Sequence, residues 1–335
     1  MIPQPTSYCE RLFAILPYLV AGVFFGTAMQ SAFGQQTYPA KSIKIIVGST
    51  PGGGPDIMAR AIGQKLTEAL AQPVIIDNRP GANGIIASEL AAKSPADGYT
   101  LMMANAGSHA VNVSLYPKLS YDPLRDFTPV TLVSTAPNVL IVHPSMPVKN
   151  VNDLVALARV RPGEMSFGSG GNGSTAHLSG ELFRTLAGLN LVHVPFRGAP
   201  AAVLGVSSGQ VALALPNLPP ALPALKSGRA RALGVTTAAR SAAAPDVPTI
   251  AESGLPAYEA TAWYGVLAPA GTPRDIVMRL NTEIVKSLRT DDMKQRILLD
   301  GGDVVGSTPE AFGTVMRNDI AKWARVVKLS GAKVD

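Results

Sequence analysis

Thiols are almost missing from this chain. Its one cysteine, Cys9, lies in a leader-like segment, so the remainder can neither form a disulfide nor use a cysteine nucleophile. Aromatic residues make up only 6% of the sequence, and no run of Lys or Arg is interleaved with them, which argues against nucleic acid as a partner. The four histidines, His109, His143, His177 and His193, are far apart and lack an H-E-x-x-H pattern or a cysteine companion, so no metal site is expected. Beyond the leader no apolar run reaches membrane-spanning length. No G-x-x-x-x-G-K-[ST] occurs, and no cofactor is expected.

What is present is a long, apolar chain. With 335 residues, 47% of them hydrophobic, it can bury a full core, and its length suggests two domains. Residues 1–34 read as a secretory signal: Arg11 precedes an apolar stretch, Leu12 to Phe25, and small residues follow at Ala32 and Gly34. Cleavage after about Gly34 and a periplasmic destination are the expectation. Net charge is +6 and survives removal of the leader, because Glu10 and Arg11 leave together. A modest, scattered excess of cations suits a surface that faces an anionic ligand.

Strand and helix patterns alternate. The β-type run Ser42 to Gly48 leads to a helical stretch, Ile57 to Ala71, with Ile57, Ala61, Ile62, Leu66, Ala69 and Leu70 on one side. A strand at Val74 to Asp77, a helix from Ile85 to Ala92 and a strand at Thr100 to Ala104 follow. The rhythm restarts near Met165, with helices Thr175 to Leu186 and Ala199 to Ser207, and strands Leu191 to Val194, Val211 to Leu215 and Arg231 to Thr236. Such alternation predicts two α/β units with parallel pairing through right-handed crossovers. Phe127 to His143, broken at Pro137, and Tyr258 to Ala268 are extended links between the units, and two such links make a hinge beside a central cleft. Helices Arg274 to Arg289 and Pro309 to Leu329 are expected to fold back on the first unit. The resulting lobes are 35–135 with 262–335, and 136–261.

The most informative motifs are two glycine-rich turns, Pro51-Gly52-Gly53-Gly54-Pro55-Asp56 and Gly168-Ser169-Gly170-Gly171-Asn172-Gly173-Ser174. Each follows a strand and opens a helix, so each presents free backbone N–H groups at a positive helix end. The second matches the G-x-G-x-x-G dinucleotide fingerprint, but the strand after it ends His193-Val194-Pro195-Phe196-Arg197, without the acid a ribose needs. Gly205-Val206-Ser207-Ser208-Gly209 matches G-x-S-x-G, yet it runs from helix to strand, the reverse of a nucleophile elbow. No nucleophile–base pair or carboxylate pair lies near either turn. His177, one turn into the second helix, and His109, after a strand at a lobe edge, are candidate ligand contacts.

In this order, several stretches resemble a known family. They are Pro51 to Arg60 (PGGGPDIMAR), Asn78 to Gly84 (NRPGANG), Ala96 to Thr100 (ADGYT), Gly171 to Phe183 (GNGSTAHLSGELF), Val194 to Ala201 (VPFRGAPA), Asp246 to Gly254 (DVPTIAESG) and Trp263 to Pro273 (WYGVLAPAGTP). The chain is similar to the extracytoplasmic solute-binding receptors of tripartite tricarboxylate transporters, often called Bug receptors. The resemblance implies a two-lobed class II periplasmic binding protein, a monomer, that closes on a small carboxylate-bearing solute and delivers it to membrane permease subunits. It also implies that the two glycine loops hold a ligand carboxylate largely through bridging waters, at Gly53, Gly54 and Asp56 and at Ser169, Asn172, Gly173 and Ser174. Asn105, Ser108, His109, Asn217 and Trp263 are candidates for the variable part of the pocket. Where many members have an aspartate-asparagine pair, this chain has Pro216-Asn217, which favours a dicarboxylate, hydroxy acid or aromatic acid over an amino acid. A carboxylate-processing enzyme on a similar frame and a signalling receptor are the competing readings.

Overall fold

The computed structural model describes Met1 and residues 38–299 and 301–332. The signal segment expected over residues 1–34 falls, apart from Met1, outside the described residues. From Lys41 onward the chain forms one compact unit. In chain order its strands are β1 (Ile43–Val47), β2 (Val74–Asn78), β3 (Thr100–Asn105), β4 (Phe127–Pro137), β5 (Val139–Val142), β6 (Ser166–Ser169), β7 (Val192–Pro195), β8 (Leu213–Ala214), β9 (Arg231–Val235), β10 (Thr261–Pro269) and β11 (Asp303–Val304). The α-helices are α1 (Gly54–Leu70), α2 (Ile85–Ala92), α3 (Asn112–Leu115), α4 (Val151–Arg159), α5 (Thr175–Ala187), α6 (Ala199–Ser207), α7 (Leu218–Lys226), α8 (Arg274–Leu288), α9 (Asp291–Leu299) and α10 (Pro309–Ser330). A π-helical turn, Gly107–Val111, leads into α3.

Two sheets result, ordered β11-β4-β10-β3-β1-β2 and β7-β6-β8-β5-β9. The first is parallel only over β3-β1-β2, and the second only over β7-β6-β8. The sequence rhythm predicted parallel pairing within the two α/β units, and those pairs are parallel; the extended links, whose direction it left open, enter antiparallel, β10 to both β3 and β4, and β5 to β8 and β9. The antiparallel strands are those that carry the chain between sheets. After Pro137 only Asn138 separates β4 from β5, and the return path after β9 enters β10, which pairs with β4 from Thr261 to Pro269. Both extended links of the sequence are therefore real and lie side by side.

Buried runs explain the strands: Ile43, Ile45, Ile46 and Val47 of β1 and Leu101, Met102 and Met103 of β3 are fully shielded, as expected where helices cover both faces of a sheet. Helix α1 buries Met58, Ala61, Ile62, Leu66 and Leu70, whereas Ala69, expected on that face, is exposed. At 100° per residue Ala69 falls within the arc between Met58 and Leu66, so its exposure goes with its place in the last turn of the helix and not with the apolar period. Helix α6 ends at Ser207, and Gly209 takes a positive φ of 74°, so the G-x-S-x-G match is a helix terminus. Helix α8 packs on β4 and α1, while α10 reaches past the first sheet to α5, where Arg184 donates to the carbonyl of Ser330. No described helix is long and apolar enough to cross a membrane.

Candidate ligand cleft

The first glycine turn is held open by a buried carboxylate. Gly53 caps α1 in an extended conformation with no side-chain acceptor; its own N–H donates to the carbonyl of Thr50 (3.1 Å) and Pro55 carries none, which leaves Gly54 to open the helix uncapped. Asp56, 2% exposed, accepts from the Gly52 N–H (2.9 Å), Arg60 Nε (3.0 Å) and Asn78 Nδ2 (2.9 Å), and Asn78 Nδ2 also reaches the carbonyl of Ser49 (3.1 Å). Burial opposes ionisation of Asp56, but the hydrogen bonds from Arg60, Gly52 and Asn78 outweigh it and hold the carboxyl below its ordinary range.

The second turn is braced by two stacked imidazoles. His177 and His193 lie 3.9 Å apart, centre to centre, and within 17° of parallel. His193 Nε2 is 2.7 Å from Ser169 Oγ, which takes the Gly171 N–H, and His177 Nδ1 accepts the Gly173 N–H at 3.1 Å. That acceptor role requires an unprotonated Nδ1. Burial, with help from His193 and Arg184, pushes the His177 pKa down to about 3, so the ring is neutral. Gly171 and Gly173 have φ of 121° and 78°, conformations a side chain would strain. Ser174 caps α5 by accepting from the His177 N–H.

Between the sheets lies a cavity of about 680 Å³. Four helices point their N-termini at it: α1 through Gly53 and Gly54, α5 through Ser174 and Thr175, α6 through Gly198 and Ala199, and α7 through Asn217. Its lining contains no Asp or Glu and one cation, the exposed Arg197. The helix ends and Arg197 thus turn positive ends toward the cavity while no carboxylate lines it; Asp56, behind the wall, is paired with Arg60. Among the described residues no cluster of His, Cys, Asp or Glu could hold a metal ion.

Six of the sequence candidates line this cavity: Gly53, Gly54, Asn105, Asn172, Ser174 and Asn217. Asp56, Ser169, Gly173 and His177 stand behind the wall and shape the turns instead. Ser108 is buried and donates its N–H to Asn105 Oδ1 (3.0 Å), so it orients a lining residue. His109 is fully buried between Tyr121 and Phe127, with Nδ1 2.8 Å from Ser108 Oγ, and faces no cavity. Trp263 turns away: its indole donates to Asp319 of α10 (2.6 Å) and packs on Phe312.

Strand alternation explains this last displacement. Ala262 and Tyr264 of β10 face the cavity, and the residue between them must face the other side. Tyr264, Asn83 and Arg197 were missed as site residues. Asn83, at a positive φ of 49°, donates Nδ2 to the carbonyl of Gly173 (2.6 Å), tying the two turns' surroundings together. The sequence held no signal for the parity of Tyr264, because both faces of β10 are apolar; Asn83 lies in the family-like stretch Asn78 to Gly84, which was the one pointer to it.

Two α/β sheets joined by paired crossing strands around a cleft define a class II periplasmic binding protein fold. A model of the tripartite tricarboxylate transporter family receptor matches residues 58–332. Protein BugT of Bordetella pertussis is 38% identical over 317 residues, which cover 94% of this chain and 97% of that protein. The solved structure of R. palustris Rpa4515 with adipate is 40% identical with a TM-score of 0.86, covering 89% of this chain and all of that one. MatC of Rhodopseudomonas palustris with bound malate is 32% identical with a TM-score of 0.82, covering 87% of this chain and all of that one. The chain belongs to the receptor family of tripartite tricarboxylate transporters.

Proposed function

We propose that the protein captures a small organic acid in this cleft and hands it, chemically unchanged, to the membrane subunits of a tripartite tricarboxylate transporter. The observation that carries the reading is the convergence of four helix N-termini on a cavity whose lining has no carboxylate. Such a cavity stabilises anions and offers a ligand ammonium no counter-charge. Asn217 at the start of α7 is neutral, in keeping with a dicarboxylate, hydroxy acid or aromatic acid rather than an amino acid. Similar proteins carry adipate and malate, acids that a cavity of about 680 Å³ accommodates. Lobes of 35–135 with 262–335, and 136–261, fit the two sheets, and residues 1–34 supply the export signal. A monomer suffices, because both walls come from one chain.

A thermal-shift and calorimetric screen tests this. Malate, adipate, succinate and benzoate are compared with aspartate and glutamate. A ligand at a hundred times its Kd stabilises the closed form by about 2.7 kcal/mol, enough to raise Tm measurably. Organic acids should give shifts and be recovered intact. Tight binding of aspartate or glutamate with none of the simple acids, or chemical conversion of a bound acid, overturns the reading.

A further inference from the structure

The wall formed by the first glycine turn holds two hydroxyls that the fold leaves unused. Tyr264 is 2% exposed, and its hydroxyl has no hydrogen-bond partner among the described residues. Ser49 Oγ is shielded and unpartnered in the same way. Both residues line the cavity. Both flank the start of α1: a Cβ on Gly54 would overlap the Tyr264 hydroxyl, and one on Gly53 would come within 3.3 Å of Ser49 Oγ.

Packing does not account for them. A buried hydroxyl without a partner destabilises a fold, and native proteins keep few. Phenylalanine would fill the space at 264 without that cost. The chain also gives up a side chain at Gly54 so that the phenol can sit at the positive end of a 17-residue helix. Two orphan donors beside the uncapped start of α1, on a wall without carboxylates, are the groups that an oxyanion would need there.

We propose that Tyr264 and Ser49 donate directly to an oxyanion of the bound acid at the N-terminus of α1, and that Tyr264 sets how tightly acids are held there. This rests on the carboxylate reading above. Burial moves the phenol pKa up from its ordinary value of 10.0, so Tyr264 stays a donor wherever organic acids are ionised.

The test is calorimetry with malate, adipate and succinate on wild type, Tyr264→Phe and Ser49→Ala, together with melting of each empty protein. Tyr264→Phe should raise Kd about tenfold or more, the effect of one hydrogen bond to a charged group. The empty variant should melt at the wild-type temperature or above, because an unpaired buried hydroxyl has gone. Ser49→Ala should weaken binding less, with the same unchanged melting. If Tyr264→Phe binds every acid within about twofold of wild type, or if it melts well below wild type, the hydroxyl is not a ligand donor and the proposal fails. Failure of wild type to bind any of the acids would instead sink the carboxylate reading, and the wild-type arm alone reports it.

Discussion

Asp56→Ala separates a residue that touches the solute from one that shapes the turn presenting to it. Asp56 does not line the cavity, yet its carboxylate gathers Gly52, Asn78 and Arg60. Two neutral donors on a buried carboxylate contribute about 1.5 kcal/mol each at the low end, or about 3 together. The pair with Arg60 adds little, since the guanidinium side chain is half exposed and rehydrates when released. Removing Asp56 also removes its own burial cost, which leaves a net loss of about 2 kcal/mol. At about 2 °C per kcal/mol for a protein of this size, Tm should fall by about 4 °C. Gly52 and Gly53 would lose their fixed orientation, so binding of malate or adipate should weaken along with the melting temperature. Asp56→Asn, which keeps one acceptor oxygen, should fall between wild type and Asp56→Ala on both measures. Differential scanning calorimetry and isothermal titration give the two numbers. Weakened binding with Tm within about 1 °C of wild type would show that Asp56 acts on the solute itself.

Other consequences are open to direct test. Asn217→Asp places an oxygen acceptor against Asn138 Oδ1, now bonded to Asn217 Nδ2 at 2.5 Å, and puts a negative charge into a carboxylate-free cleft. The variant should bind dicarboxylates about tenfold more weakly and gain relative affinity for aspartate or glutamate, measured by competition; unchanged selectivity would refute the role of residue 217. Stability should also fall as pH drops from about 6.5 towards 3. Burial holds His109 and His177 near a pKa of about 3 in the folded chain, while unfolding restores an ordinary value of 6.5, so the unfolded form binds more protons between those limits. Each group contributes up to about 1.4 kcal/mol per pH unit across that window. A pH series of melts on wild type and His177→Asn should show the slope and its reduction in the variant.

Much of the architecture is legible in the sequence because it is written in local patterns. α1, α2, α5 and α6 follow from apolar spacing and from the turns before them, and α6 matches its expected limits, Ala199 to Ser207. Helix α7 is not legible in this way: its sequence, LPPALPALK, carries three prolines. Pro219 and Pro220 sit in the first turn, where backbone N–H groups have no helical acceptor, and only Pro223 removes an internal bond. The direction of β5 and β10 was equally hidden, because antiparallel entry depends on where the partner strand lies. At the site, both glycine turns could be found from excess glycine at helix starts. Which of Trp263 and Tyr264 faced the cavity could not, since both faces of β10 are buried and hydropathy gives no parity. The roles of Asp56 and His177 behind the wall also follow only from tertiary contacts.

Four helix N-termini line the cleft, and a peptide dipole does not titrate. An ammonium or imidazolium trap weakens as its proton leaves; four helix ends keep their polarity at any pH the fold survives. The pH range over which such a cleft can load is therefore set by the acid it captures, whose carboxyl must stay ionised, and by the fold's own acid limit. Because the field comes from backbone geometry, lining side chains can diverge in shape without altering the sign of what is admitted.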